Sequence, residues 1–342
     1  MKLKNLKEGN KVSWYSTKGN KDEFVFSTRA RLARNITGFK FPSAMTPEES
    51  NSVLSEVIDA LEPIISEYEM YDMAEITPQK AGELTEKHLI SPNFKNSTLK
   101  RAAFISKDET VSIMVNEEDH VRIQCFSAGL NPKEVLDKAN KIDILLRERL
   151  KFAFSEKYGY LTSCPTNCGT GLRLSAMVHL PALTLSGAEG RLLRESAKQG
   201  MTVRGMYGEG SKAPGHIYQI SNQVTLGVTA NDIYEKFCNL LQSIFDAEQS
   251  IRDNIKKNIS PELYDKIYRA AACLKGAYLM SSSEFLSLQS FARLGSYIGI
   301  CDIDVEKLKK LWIETSPCNI GDLTPQERDT KRAEILRREL AS

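Results

Sequence analysis

Between Phe24 and about Leu226, apolar and polar residues alternate with a period of two, glycine and asparagine break the runs, and helical stretches lie between them. Beyond Thr229 the apolar positions recur with helical spacing almost to the end of the chain. The pattern predicts an α+β fold: an antiparallel sheet flanked by helices over residues 1–258, then a small all-helical domain over 259–342.

Thr46-Pro47-Glu48-Glu49 supplies an N-cap, a proline at the first helical position and a capping-box carboxylate, and leads into Val53, Leu54, Val57, Ile58 and Leu61. Asn131-Pro132 opens a second helix in the same way, with Val135, Leu136, Ile142, Leu145 and Leu146 inside it and Gly159 beyond its end. Between these helices, VSIMV and HVRIQCF read as strands joined by the loop NEED, which would present acidic groups at a sheet end. GHIYQISNQVTLGVT reads as another strand pair, turning near Ser221-Asn222. After the long helix from Thr229, Ser260-Pro261 starts a series of helices at about 261–280, 283–299, 303–314 and 325–341.

A chain of 342 residues, 41% hydrophobic and 26% charged, can bury a real core, and its net charge of +2 gives no basic field for nucleic acid. No apolar stretch has the length of a signal peptide or a membrane span, so a cytoplasmic protein is expected. Seven cysteines without a CxxC pair support neither a disulfide framework nor an ordinary zinc site; reduced thiols and no protein-held metal are expected.

The common nucleotide signatures, GxxxxGK[ST], GxGxxG after a strand, HRD and DFG, are absent. The chain offers arginines instead. Arg29 and Arg31 in FVFSTRARLARN are two apart in a strand, so both leave one face and could grip one phosphate chain. Arg122 lies on the face opposite Val121 and Ile123. Arg173 follows the turn-forming run CPTNCGTG, and Arg204 opens RGMYGEG, where backbone at glycine can approach a ligand closely. Singly these are solvated surface charges. Together they suit phosphoryl transfer, whose loose transition state spreads charge over oxygens that arginine forks and Mg2+ stabilise. Glu118 in the NEED loop and Glu209 in RGMYGEG add carboxylates at predicted element ends.

In order and approximate spacing, STRAR, NEEDHVR, CPTNCGTGLR and RGMYGE resemble the motifs of the phosphagen (guanidino) kinase family. With GYLTSCPTN, IYQISNQVTLG and EKHLISP, the chain looks closely like the bacterial branch that phosphorylates arginine within proteins, from about Phe24 to Gly227 and more weakly to the C-terminus. The resemblance implies an ATP site of Ser27, Thr28, Arg29, Ala30, Arg31, His88, Arg122, Arg173, Leu174, Ser175, Ala176, Met177, Arg204, Gly205, Met206, Tyr207, Gly208 and Glu209, with Mg2+ accompanying ATP. It also implies that Glu118 and Glu209 hold the acceptor guanidinium bidentately. A carboxylate of pKa about 4 cannot deprotonate a guanidinium of pKa above about 12 in the ground state, so proton transfer to Glu118 must accompany attack, with Glu209 orienting. Cys164 matches the family's active-site cysteine, whereas Cys168 stands where an aliphatic residue is expected and adds a possible oxidation partner.

Small-molecule members of the family carry a helical domain ahead of STRxR; here 26 residues precede Ser27, from which an open acceptor site suited to a protein-borne arginine is expected. RDTKRA sets Arg328 and Arg332 four apart with Asp329 beside them, and resembles the RDxxRA motif that binds phosphoarginine in this branch. By the same resemblance the partners are protein substrates bearing arginine, a zinc-finger activator, the Clp protease machinery and a stress-response repressor. Leu263, Ile267, Tyr268, Phe285, Leu288 and Phe291 exceed what short helices need to cover one another, which predicts a homodimer face. Two other readings stay open: a kinase of free arginine or another guanidino metabolite, and a phosphoarginine-binding adaptor without kinase activity.

Overall fold

The computed structural model describes residues 13–205 and 213–341. Met206, Tyr207, Gly208 and Glu209 of the expected site lie outside them. In chain order the elements are β1 (Val25–Arg34), α1 (Pro47–Leu61), β2 (Tyr68–Asp72), α2 (Pro78–Glu86), β3 (Ala102–Ser106), β4 (Val111–Val115), β5 (Val121–Ala128), α3 (Pro132–Arg149), β6 (Phe154–Ser155), β7 (Gly159–Tyr160) and β8 (Leu172–His179). They continue with α4 (Pro181–Leu185), α5 (Glu189–Lys198), β9 (Met201–Gly205), β10 (Ile217–Asn222), α6 (Ala230–Lys257), α7 (Pro261–Gly276), α8 (Ser282–Ile298), α9 (Val305–Glu314) and α10 (Pro325–Leu340). The longer strands form one antiparallel sheet in the order β2-β3-β4-β5-β1-β8-β10-β9, as the α+β reading expects, and β6 pairs with β7 apart from it.

Strand alternation assigns the two sheet faces different work. On one face Ala30, Leu32, Ile123, Cys125, Leu174 and Ala176 are buried in an apolar cluster with residues of α1, α3 and α6. Helix α1 starts as its sequence demands: Thr46 and Glu49 make the reciprocal capping box, and Val53, Leu54, Val57 and Leu61 are buried. Thr229 and Asp232 do the same for α6.

The other face is polar in the middle and apolar at its margin. There Phe26, Ile105, Met114 and Phe126 join Phe285, Trp312 and Leu336 of the C-terminal helices in a second cluster. Buried polar ties reinforce this union. Lys309 Nζ lies 2.8 Å from Asp22 Oδ1, Arg293 Nη2 donates to Asp22 O at 3.0 Å, and the rings of His179 and His216 both hydrogen-bond Ser290 Oγ, at 2.8 and 2.7 Å. The C-terminal helices therefore share a core with the sheet, keeping only a small cluster around Ile267, Leu294 and Ile298 to themselves.

Four expectations need correction. Residues 217–229 hold one strand, β10, and no hairpin partner. Asn222 and Thr225 prevent the turn: Asn222 accepts from Leu174 N and donates to Leu172 O and Val224 O, while Thr225 Oγ1 donates to Thr166 O and Cys168 O. The partner that β10 finds is β9. Asn131 does not cap α3, because its side-chain amide donates to Ser127 Oγ and Ala128 O. Helix α7 ends at Gly276 and not near 280, since Ala277 O and Met280 are held by α10 through Arg337, Arg332 and Asp329. Of the six apolar positions expected to form a dimer face, Ile267 and Phe285 are buried, Leu263, Leu288 and Phe291 pack partly buried against the cores, and only Tyr268 is exposed, at 50%.

Candidate active site

The strand register gathers the arginines. Arg29 stands opposite Phe126 of β5 and Ser175 of β8, and Arg31 stands opposite Gln124 and Arg173. Arg122 continues the same face of β5, two residues from Gln124. Ser27 faces Met177, which faces Gln219, which faces Arg204. Side chains spread over residues 27 to 219 thus leave one face of one sheet. Thr28, Ala30, Leu174 and Ala176 alternate to the opposite face and do not reach it: Ala30, Leu174 and Ala176 sit in the core, and Thr28 Oγ1 donates to Gly129 O at 2.6 Å. Gly205 ends β9.

The electrostatics of this row suit an anion. Among the described residues, Arg29, Arg31 and Arg173 make no ion pair with a carboxylate; Arg29 reaches only the neutral Ser175 Oγ and Gln219 Oε1, each at 3.4 Å. Burial, then repulsion from Arg122 and Arg173, lowers the Arg29 guanidinium to about 10. Arg31 is pushed well below the ordinary range by burial, then by Arg122, Arg29 and Arg173. Arg173 is lowered by burial, then by Arg204 and Arg122, against opposition from Cys164 and Glu118. Mutual repulsion in a partly dry cleft is relieved by a polyanion, so these residues fit the phosphates of ATP.

The row ends at the NEED turn between β4 and β5. Arg122 Nη2 holds Glu118 Oε2 at 2.5 Å, and its Nη1 pairs with Glu117, a carboxylate that the sequence reading passed over although it sits in the same motif. Glu118 remains 41% exposed. The turn itself is fixed from below. Asn116 adopts φ 61 and donates to Ser50 O and Lys100 O, and buried Asp119 Oδ1 accepts from Asn35 Nδ2 and Ser163 N, both at 2.7 Å. His120 accepts from Ile36 N through Nδ1 and donates from Nε2 to Lys40 O, the neutral tautomer, with burial lowering its pKa. Asp119 thereby ties the Glu118 turn to the segment that carries Cys164, whose Sγ lies 3.0 Å from Thr166 Oγ1. Gly169 closes that segment with φ +106, where an added Cβ would fall 2.2 Å from Thr225 O. Cys168 is a free thiol 3.3 Å from Thr162 Oγ1.

His88 approaches the row from the other side. It adopts φ 62 just beyond α2, its ring packs 5.7 Å from Trp14, and burial and Arg29 lower its pKa to about 4. Leu89 O, accepting from Ser112 Oγ and Gln124 Nε2, holds this loop on the sheet. A narrow gap lined by Ser27, Arg29, His88, Ser175, Met177 and Gln219 adjoins a cavity of about 530 Å³ over Arg29, Arg31 and His88. No group of three or more His, Cys, Asp or Glu placed to hold a metal occurs among the described residues; the carboxylates at the row are Glu117 and Glu118.

RDTKRA lies on α10. Arg332 is 1% exposed and donates to Thr315 O, Met280 O and Asp329 Oδ1, while Arg328 is half-buried near Cys318. Asp329 and Arg332 are thus brought together as a pair.

Residues 49–251 match the family ATP:guanido phosphotransferase, C-terminal catalytic domain, and residues 260–342 match the Protein-arginine kinase McsB C-terminal domain. The chain is 43% identical over 327 residues to a protein-arginine kinase of Caldanaerobacter subterraneus subsp. tengcongensis, covering 93% of this chain and 97% of that one. It is 45% identical over 339 residues to a protein-arginine kinase of Clostridium kluyveri, covering 96% and 98%. Lombricine kinase shares the fold, with a TM-score of 0.61 at 24% identity over 70% of each chain. A sheet face that collects arginines beside a glutamate turn and a cysteine, continued by this helical region, accords with those matches, and the chain belongs to the protein-arginine kinase family of ATP:guanido phosphotransferases.

Proposed function

We propose that this protein transfers the γ-phosphoryl group of ATP to the guanidinium of arginine residues in other proteins. The observation that carries the reading is the row of arginines on one sheet face, ending at Glu118 and Cys164. ATP lays its phosphates along Arg29, Arg31, Arg122, Arg173 and Arg204, whose forks match the charge of a loose transition state. Mg2+ would come with ATP on its phosphate oxygens, and Glu117, at the row beside Arg122, is the carboxylate that would help hold it. The ion supplies charge neutralisation at the phosphates.

A guanidinium nitrogen of the acceptor forms the N–P bond, the bond from phosphorus to the ADP oxygen breaks, and the proton passes to Glu118. For that, Glu118 exchanges Arg122 for the acceptor guanidinium, which is why a carboxylate that is 41% exposed suits the task. Glu209, outside the described residues, is the second holder. Cys164, whose charge would act on Arg173, is the sulfur that tunes the acceptor.

Proteins, and not free arginine, are the substrates on the strength of the relatives' names and the matching C-terminal domain. Within the same proposal, residues 1–258 form the catalytic domain and 259–342 a helical domain that binds phosphoarginine through Arg328, Asp329 and Arg332. There the Asp329–Arg332 pair opens to let the ligand's phosphate and guanidinium replace it. A cytoplasmic setting, a zinc-finger activator, the Clp machinery, a stress-response repressor and a homodimer complete it; the exposed, stacked Tyr264 and Tyr268, together with exposed Tyr278 and Leu279, support a dimer face. No helix among the described residues is long and apolar enough to cross a membrane. The test is a comparison of transfer from Mg-ATP to an unfolded basic protein and to free arginine: acid-labile phosphate on the protein supports the reading, and transfer to free arginine alone rejects it.

A further inference from the structure

The segment that carries Cys164 is held between two other stretches of chain. Gly169 exchanges both backbone hydrogen bonds with Tyr160 of β7, at 2.8 and 3.1 Å, and Thr170 N donates to Thr225 O at 3.0 Å. Thr225 Oγ1 donates to Thr166 O and Cys168 O, and Thr166 Oγ1 lies 3.0 Å from Cys164 Sγ. Between these borders Pro165 and Thr166 are exposed. Each border turns large apolar side chains to solvent: Phe154 and Tyr158 of the β6–β7 hairpin are 59% and 46% exposed, and Val224 and Leu226 are 46% and 48% exposed. Single exposed apolar residues need no partner, but four around one short segment mark an interaction surface. We propose that the two borders dock the substrate protein. An extended stretch, its acceptor arginine entering beside Cys164, lays apolar neighbours of that arginine on Phe154 and Tyr158 to one side and on Val224 and Leu226 to the other. The inference rests on the kinase reading above and deepens it by naming the residues around the arginine that this chain prefers.

Both borders are fixed from within. Arg34 places its guanidinium 3.6 Å from the centre of the Tyr160 ring while pairing with buried Asp143 at 2.8 Å and donating to Thr170 O at 3.1 Å. The Phe154 ring meets Tyr160 edge-on at 5.3 Å, which leaves more than half of Phe154 open. On the second border Thr225 turns into the segment, and alternation then sends Val224 and Leu226 outward. That explains their direction and not their type, since polar side chains would leave the Thr225 ties intact. Val224 also edges a cavity of about 450 Å³ lined by Gly200, Met201, Val228, Ile233 and Lys236. Continuity with the acceptor site decides the occupant. An arginine within a protein brings chain in both directions, advancing about 3.3 Å per extended residue, so its near neighbours pass over these borders; free arginine brings none. Charges of both signs stand there, Glu156 and Lys157 on the hairpin and Asp232 and Lys236 at the cavity, which leaves apolar contact as the means of selection.

The test gives the full chain Mg-ATP and two peptides of equal length and net charge, each with one arginine. One peptide places leucine and phenylalanine two and three residues to either side of the arginine; the other places serine and glycine there. The parent should phosphorylate the apolar-flanked peptide with a kcat/KM roughly tenfold or more above the other, mostly through KM. The double variants Phe154→Ser/Tyr158→Ser and Val224→Ser/Leu226→Ser should each reduce that preference severalfold. Their kcat/KM for the serine-glycine peptide and their KM for ATP should stay within about twofold, with thermal unfolding confirming that each is folded. Equal kcat/KM for the two peptides with the parent overturns the docking surface and leaves the kinase reading standing. A preference kept in full by both double variants overturns the assignment of these residues. An equal loss on both peptides also overturns it, because the borders would then only support the Cys164 segment. Phosphate on neither peptide overturns the surface, and the unfolded basic protein of the preceding test decides the kinase reading separately.

Discussion

Arg31 of β1 and Arg173 of β8 stand directly opposite each other, and among the described residues neither makes an ion pair with a carboxylate. Like charges across neighbouring strands oppose pairing by up to about 1 kcal/mol, and burial sharpens the repulsion. Arg173→Gln should therefore raise the melting temperature of the ligand-free protein by a degree or more while weakening ATP by roughly tenfold. Thermal unfolding with and without nucleotide checks both halves. A ligand-free variant that melts lower than the parent would contradict the repulsion.

Glu118→Gln keeps the shape of the side chain and removes its charge. Phosphoryl transfer should fall by about a hundredfold or more, with ATP affinity within a few-fold of the parent, because the carboxylate acts on the acceptor and not on the phosphates. Glu209→Gln should behave alike. Near-normal turnover in either variant would remove that carboxylate from the chemistry.

Asp119 touches neither phosphate nor acceptor in this account, yet its Oδ1 holds Asn35 and Ser163 together, one residue before Cys164. Asp119→Ala leaves both donors unsatisfied, a loss of about 1–3 kcal/mol. It should lower kcat and quicken alkylation of Cys164 while nucleotide affinity stays within a few-fold. Cys164→Ser should lower activity without abolishing it, and alkylation of the parent should inhibit unless ATP protects. An alkylation rate unchanged in Asp119→Ala would show that the Cys164 segment does not depend on that anchor.

All the histidines of the chain, His88, His120, His179 and His216, are held below the ordinary imidazole value by burial, His88 to about 4 with help from Arg29. A folded pKa below the unfolded value of about 6.5 means that the unfolded chain binds more protons between the two. Their contribution is complete above about pH 6.5 and drains away as pH falls toward 4. Melting temperature should thus drop between about pH 7 and pH 5, above the range where carboxylates protonate, and His88→Gln should flatten part of the slope. A flat profile over that window would refute the burial argument.

The alternation of Arg29 and Arg31 was legible in the chain because i and i+2 share a strand face whatever the strand pairs with. Their union with Arg122, Arg173 and Arg204 depends on register among strands distant in sequence, and only the motif order hinted at it. Leu174 and Ala176 lie in the segment that the family resemblance ties to ATP, yet alternation alone sends them into the core, where they are found. The strand expected after Asn222 fails for side-chain reasons, since Asn222 and Thr225 hydrogen-bond backbone of neighbouring segments and hold the chain off the sheet. Helical spacing revealed α7 to α10 but not what they bury against. The pairing of Trp312 and Phe285 with Phe126 and Met114 joins apolar faces that each look complete alone. Glu117 and Asp119 lay in plain view in NEED, where acidic loop residues are ordinarily solvated.

If the arginine row and Glu118 together phosphorylate protein-borne arginine, incubation of the protein with Mg-ATP and an unfolded basic protein, followed by mass-spectrometric mapping under conditions that preserve the N–P bond, should find phosphate on arginine side chains. The Glu118→Gln variant, treated alike, should leave almost none. Phosphate confined to serine, threonine or tyrosine, or equal arginine phosphorylation by both proteins, would contradict that chemistry.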